Sequence, residues 1–144
     1  ATWHGMFLSN GKPTEAVDVM QYCWMGEWPT SRAPSITDIH LDAKNWQKEH
    51  RVAPSTNVTL SLDYEKNNNK NLEFSYLLFP EAFSSKIGGD RQETPEKISL
   101  EIIEKSKSGI IFKTPKIKGA YRIFAYIKNF HGQCSVANIP FLVE

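Results

Sequence analysis

Apolar residues near the start of the chain recur at intervals of three and four, which is the period of one helix face. They are Ala16, Val17, Val19, Met20, Cys23 and Trp24. Thr14 is a candidate N-cap, and Gly26 supplies a stop signal. Pro29 and Pro34 prevent the helix from resuming. The pattern predicts a short helix followed by an aromatic, proline-rich linker.

After Pro34 the pattern changes to alternation of apolar and polar residues, which is the period of a half-buried strand. It predicts strands at 35–41, 58–64, 72–79, 98–103 and 109–112, then a closing hairpin from Gly119 to Glu144. The asparagine-rich segment 65–71 is predicted to be a turn, because asparagine tolerates a positive φ, and we expect it to join the strands on either side into a β-hairpin. In the hairpin, one set of residues is predicted to point inward and alternates with residues that point outward. The inward set is Tyr121, Ile123, Ala125 and Ile127.

About seven short strands without βαβ alternation favour an antiparallel sandwich. We therefore predict an all-β fold, an immunoglobulin-like antiparallel β-sandwich, over residues 34–144. Residues 1–33 form the preceding helix and linker. A chain of 144 residues has the usual size of one domain with one core.

The charges exclude some partners. The 17 basic and 16 acidic side chains nearly cancel and neither sign forms a stripe, so we expect no nucleic-acid partner. No apolar run is long enough to span a membrane, and the first residues lack the features of a signal peptide.

Cys23 and Cys134 could close a loop of about 110 residues. Because cysteine is also a common buried residue, we expect two free thiols.

No catalytic or metal-binding motif is recognisable, and the four histidines are scattered. An acidic loop could offer oxygen ligands to calcium, but its spacing matches no known calcium loop; its residues are Glu81, Asp90, Glu93 and Glu96. We expect no metal site, no cofactor and no catalytic residue in this chain.

Aromatic residues are the best candidates for a binding surface. Trp24, Trp28 and Trp46 could stack on sugars, because flat rings offer a large rigid contact area. Burial against a neighbouring domain is the alternative that we favour for tryptophans near a junction. Phe124 and Tyr126 give the closing hairpin a second apolar face. That face predicts a cover from outside, for which the helix carrying Trp24 is a candidate.

Several segments resemble the tail of large secreted glycoside-hydrolase-type proteins, in which a TIM barrel similar to the family 2 glycosidases runs into an Ig-like or PKD-like module. They are WHGMFL (3–8), TEAVDVMQY (14–22), WMGEWPTSRAP (24–34), GGDRQETP (88–95) and GAYRIFAYIKNFHG (119–132). The resemblance implies that residues 1–33 end a preceding domain and that the catalytic carboxylates lie upstream. Neither Glu15 nor Glu27 matches a catalytic glutamate of that family. The implied location is extracellular or periplasmic.

Three functions follow from these observations. The first is a non-catalytic accessory domain that docks on, or stabilises, the catalytic domain of the same polypeptide. The second is a carbohydrate-binding module for polysaccharide that uses Trp24, Trp28, Trp46 or Tyr126. The third is a small hydrolase that uses Asp90 with Glu93 or His131. We favour the first.

Overall fold

A computed structural model describes residues 5–8, 10–81 and 95–144. In this part of the chain there is one helix, α1 (Glu15–Met25), which confirms the predicted helix. The strands are β1 (Ser35–Leu41), β2 (Lys44–Asn45), β3 (Arg51–Val52), β4 (Asn57–Glu65), β5 (Leu72–Pro80), β6 (Glu101–Lys105), β7 (Gly109–Lys113), β8 (Gly119–Asn129) and β9 (Cys134–Val143). All but β2 and β3 have five or more residues.

The strands form two sheets that make a sandwich. One sheet has the order β2-β1-β4-β7-β6, and the other has the order β3-β9-β8-β5. Without β2 and β3, these are the A-B-E-D and G-F-C orders of a constant-type immunoglobulin domain. The predicted immunoglobulin-like fold is therefore confirmed. One detail differs from the prediction of an antiparallel sandwich, since the short strand β3 pairs with β9 in parallel.

A tyrosine near the start of β8 strengthens this assignment. The Tyr121 hydroxyl donates a hydrogen bond of 2.8 Å to the carbonyl oxygen of Ile117. A tyrosine that bonds back to the chain just upstream of strand F is a hallmark of immunoglobulin-like sandwiches. The Tyr121 ring also stacks on Phe141, with 5.8 Å between ring centroids. This tyrosine thus fixes the entry to the closing hairpin and packs in the core.

The predicted strand at 98–103 begins later than expected. Ile98 pairs with Leu78 of β5 through a single bridge, and its N–H donates to the Leu78 carbonyl at 2.9 Å. Only from Glu101 does the chain pair with β7. The chain therefore passes from one sheet to the other within this apolar run, and alternation of residues alone does not reveal such a change of partner.

The chain divides into two compact units. The first comprises Ala1–Ile39, Leu62–Tyr76 and Ala125–Ala137. Its buried apolar side chains come from the linker and from five of the strands: Ala33, Ile39, Leu62, Tyr76, Ala125, Ile127 and Cys134.

The second unit comprises His40–Ser61, Leu77–Phe124 and Asn138–Glu144. Its core is built from alternate residues of the longer strands, including Val58, Leu60, Leu78, Ile110, Phe112, Tyr121, Ile123, Ile139, Phe141 and Val143. Phe112 and Phe141 meet edge to face with 6.1 Å between ring centroids. The inward residues predicted for β8 are buried in both units, which confirms the alternation assigned to the closing hairpin.

Gly109 opens β7 at a point where no side chain fits. It pairs with Ser61 of β4, and a Cβ at this position would lie 2.0 Å from the carbonyl oxygen of Leu60. We predict that Gly109→Ala lowers the free energy of unfolding by about 1–3 kcal/mol or more, because the obstacle is backbone and cannot rotate away. Thermal and urea denaturation measure the effect.

Gly5→Ala is the matched control, because nothing lies within 4 Å of a Cβ at Gly5. Its stability should equal or slightly exceed that of the unchanged chain. Equal stability of the two alanine variants would contradict the pairing of β4 with β7 at this register.

Candidate functional site

An aromatic stack forms where helix α1 ends. Gly26 adopts a φ of 73°, and its N–H donates to the Tyr22 carbonyl at 2.9 Å, which closes the helix. The chain then turns so that the Trp28 ring stacks on the Tyr22 ring, with 4.5 Å between centroids and 15° between planes. The guanidinium carbon of Arg32 lies over the Trp28 ring, 3.7 Å from its centroid. Tyr22, Trp28 and Arg32 are called the aromatic stack below.

Two further apolar residues extend this stack along the helix. Val19 and Met25 lie three residues before and after Tyr22, so the three side chains share one stripe of the helix surface. All three are exposed, and Met25 has 69% of its surface open to solvent. The aromatic stack together with Val19 and Met25 is called the aromatic surface. It belongs entirely to the first compact unit.

Polar contacts, rather than apolar packing, attach helix α1. Asp18 is the buried residue of the helix, and its carboxylate accepts the Ala33 N–H at 2.7 Å. The Glu15 carboxylate accepts the Ser135 hydroxyl at 2.9 Å. The apolar periodicity that predicts the helix therefore marks residues that are largely left at the surface. The helix is positioned by its two carboxylates.

The asparagine-rich turn between β4 and β5 holds the linker. Asn67 and Asn68 have positive φ values of 46° and 65°, as a type I′ turn requires, which confirms the expected turn. The β-hairpin expected around this turn is wrong, because β4 and β5 belong to different sheets. The Asn67 side-chain amide donates to the Ala33 carbonyl at 2.8 Å, and that of Asn69 donates to the Arg32 carbonyl at 2.9 Å. These asparagines thus shape the turn and bind the linker at the end of the aromatic stack.

The turn of the closing hairpin completes this network. The Asn129 amide nitrogen donates to the Gln133 side-chain oxygen at 2.7 Å and to the Asn69 side-chain oxygen at 3.0 Å. The Gln133 amide nitrogen donates to the Ser31 carbonyl at 3.1 Å. Side-chain amides from two turns, one between β4 and β5 and one between β8 and β9, therefore satisfy consecutive carbonyls of the linker. Asn67, Asn69, Asn129 and Gln133 are called the amide clamp.

The three tryptophans proposed from sequence do not form one site. Trp28 belongs to the aromatic stack, whereas Trp24 lies two residues after Tyr22, about 200° around the helix. Trp24 is 75% exposed in this chain, and its burial against a neighbouring domain stays a prediction. Trp46 is also exposed but lies in the second unit, between β2 and β3.

The two aromatic residues proposed on β8 differ in their surroundings. Phe124 is buried in the second unit, and its ring meets Phe79 edge to face with 5.7 Å between centroids. Tyr126 lies half-buried in the first unit. Burial is the main cause that raises the pKa of the Tyr126 hydroxyl, and the nearby Cys134 raises it further. The second apolar face predicted for this strand is thus covered at Phe124 by an aromatic ring of β5.

The described ranges, 5–8, 10–81 and 95–144, contain no group of three His, Cys, Asp or Glu side chains that could hold a metal ion. Asp90 and Glu93, proposed for a calcium loop and for hydrolysis, lie outside these ranges. His131 contacts the Phe130 ring edge to face.

Both cysteines are free thiols, Cys23 exposed and Cys134 buried. Burial raises the pKa of the Cys134 thiol to about 11, which keeps it protonated and unreactive near neutral pH.

None of the helices in this part of the chain is both long and apolar enough to cross a membrane. No family model matches the chain, and no characterised protein sequence matches it.

Solved structures match at low identity. The methionine-rich copper resistance protein PcoC of Escherichia coli is 12% identical, with 77% of this chain and 98% of that chain covered and a TM-score of 0.42. A DUF4784 family protein of Bacteroides caccae is 14% identical, with 75% of this chain and 24% of that chain covered and a TM-score of 0.36. At these values neither match carries an argument about function. The fold assignment rests on strand order, and the glycoside-hydrolase resemblance stays a prediction.

Four residues of the aromatic surface are absent from the sequence-based site candidates, namely Val19, Tyr22, Met25 and Arg32. A usable signal existed for the first three, because they repeat at intervals of three residues. Arg32 had no such signal. Its stacking on Trp28 depends on the path of the linker, which the amide clamp determines.

We predict that Asn129→Ala lowers the free energy of unfolding by about 1–3 kcal/mol, because it removes the hydrogen bonds that Asn129 makes with the part-buried side chains of Asn69 and Gln133. Thermal denaturation monitored by tryptophan fluorescence measures the change and also reports the surroundings of Trp28. The exposed Asn71 is the matched control, and Asn71→Ala should shift stability by less than about 0.5 kcal/mol. Identical melting of the two variants would show that the amide clamp does not hold the linker.

Proposed function

We propose that this chain is a non-catalytic module that docks on a partner protein through the aromatic surface. The observation that carries the proposal is that four exposed apolar residues lie together beside an arginine, namely Val19, Tyr22, Met25 and Trp28. Exposed apolar groups that lie together on a surface commonly mark an interaction site.

The composition of the aromatic surface supports a protein as the occupant. Tryptophan, tyrosine, methionine and arginine are the residue types enriched at protein interfaces, and three of them dominate binding hot spots. Aliphatic and thioether side chains such as Val19 and Met25 give a protein apolar contact area. They have no special affinity for the polar faces of sugars.

The geometry of Trp28 is less suited to a sugar. A sugar-stacking platform needs an open ring face, but the Trp28 ring is already stacked by Tyr22 and contacted by Arg32. Trp24 and Trp46 do present open rings, each as a single exposed residue. Carbohydrate binding through these two tryptophans is therefore the competing function that an experiment has to exclude.

The resemblance stated above suggests which protein the partner is. The segment WMGEWPTSRAP contains Met25, Trp28 and Arg32, so the junction that resembles the hydrolase tails is the same segment that carries the aromatic surface. We infer that the partner is the catalytic domain of a carbohydrate-active hydrolase in the same polypeptide. On this proposal the location is extracellular or periplasmic, and the catalytic carboxylates belong to the partner.

The test uses the domain encoded upstream of Ala1 in the same reading frame, prepared separately, and measures its binding by calorimetry. We predict that the unchanged chain binds this domain and that Met25→Asp weakens binding by about tenfold or more, because a charge enters an apolar contact. Trp24→Ala is the matched control, because Trp24 lies about 200° around the helix from Tyr22, and this variant should bind unchanged. Because both side chains are exposed, neither substitution should alter folding.

Three results would overturn the proposal. One is an upstream domain that is not a carbohydrate-active hydrolase, or that does not bind. Another is binding of polysaccharide that Trp24→Ala or Trp46→Ala abolishes and Met25→Asp preserves, which would establish a carbohydrate-binding module instead. The third is hydrolysis of polysaccharide or aryl-glycoside substrates by the purified chain.

A further inference from the structure

The arginines in the part of the chain that the structure describes fall into two groups. Arg51 pairs with two carboxylates at 2.7 and 2.8 Å. Arg122 holds Glu81 through two hydrogen bonds of 2.9 Å. Arg32 forms no ion pair and no side-chain hydrogen bond with any residue in these ranges. Within these ranges Arg32 is thus a cation without an anionic partner, at the centre of the aromatic surface.

The orientation of Arg32 shows which of its atoms a partner could reach. Its guanidinium lies over the Trp28 ring, and its Nε is buried without a hydrogen-bond partner. Arg32 as a whole is half-buried, and of its three nitrogens only Nε is both buried and unpaired. A guanidinium that stacks by its face keeps its edge for two parallel hydrogen bonds, which is the geometry that a carboxylate matches.

Neighbouring acidic groups do not neutralise this charge. Glu27 is exposed on the same segment but forms no ion pair with Arg32, and the Asp18 carboxylate is bonded to the Ala33 N–H. A partly buried cation gains most from a carboxylate when binding excludes water from both, because Coulomb attraction strengthens as the surroundings become less polar. Arg32 is therefore expected to favour an anion that the partner supplies.

We propose that the partner presents an aspartate or glutamate to the terminal nitrogens of Arg32, with apolar side chains around it that contact Met25 and Val19. This inference rests on the proposed docking function and adds the chemistry of the contact. The occupant is a protein segment in which one acidic residue is flanked by apolar residues.

The test is a selection of displayed random dodecapeptides on the full chain. We expect the unchanged chain to enrich peptides that combine an Asp or Glu with apolar or aromatic neighbours. For one synthesised peptide, replacing its acidic residue by the amide should weaken binding by about tenfold. The same replacement should have little effect on binding to Arg32→Gln. Arg51→Gln is the matched control and should retain the full preference for the acidic peptide.

The outcomes separate this inference from the docking proposal. Enriched apolar peptides without an acidic residue, whose binding Met25→Asp abolishes, would overturn the role of Arg32 and leave the docking surface intact. An acidic preference that Arg32→Gln retains would overturn it as well. Peptide binding that Met25→Asp does not affect would contradict the proposal that the aromatic surface is the docking surface. It would also overturn the inference about Arg32.

Discussion

The hydrogen bonds between the amide clamp and the linker are the interactions on which the rest of this site depends. A proline-rich linker makes no regular backbone hydrogen bonds, so the carbonyls of residues 31–33 need other hydrogen-bond donors. Asn67, Asn69 and Gln133 satisfy these carbonyls directly. A single neutral hydrogen bond stabilises a fold by only about 1 kcal/mol, but burying an unpaired group costs more than that. A shared network therefore restricts the linker to one path.

Fixing the linker also fixes the surface that it carries. Trp28 and Arg32 belong to the held segment, and Asp18 joins helix α1 to the same segment through the Ala33 N–H. The helix and the linker thus meet in one geometry, in which the rings of Tyr22 and Trp28 stack. A surface ordered before binding loses less conformational entropy when a partner arrives. Two turns of the immunoglobulin-like sandwich, between β4 and β5 and between β8 and β9, thus position a short N-terminal segment.

Local chemistry allowed most of the fold to be predicted from sequence. Helix α1 ends at Gly26 because a glycine accepts φ of 73°, and the strands follow an alternation that burial enforces. The site was predicted less well, because its contacts join residues far apart in sequence. Asn129 meets Asn69 across 60 positions, and no spacing rule signals such a contact. The tryptophans illustrate the same limit: Trp24 and Trp28 look alike in sequence, and only the turn after the helix places Trp28, and not Trp24, against Tyr22.

The central claim is that the linker is as well ordered as the sheets to which it is bound. Hydrogen exchange of the Ala33 amide, followed by NMR in the unmodified chain, tests it most directly. The amide donates to a buried carboxylate, so we expect its protection to approach that of core residues in β8, such as Ile127. Exchange at the rate of an unstructured peptide would contradict the account, because the linker would then be free and the aromatic stack would have no fixed geometry.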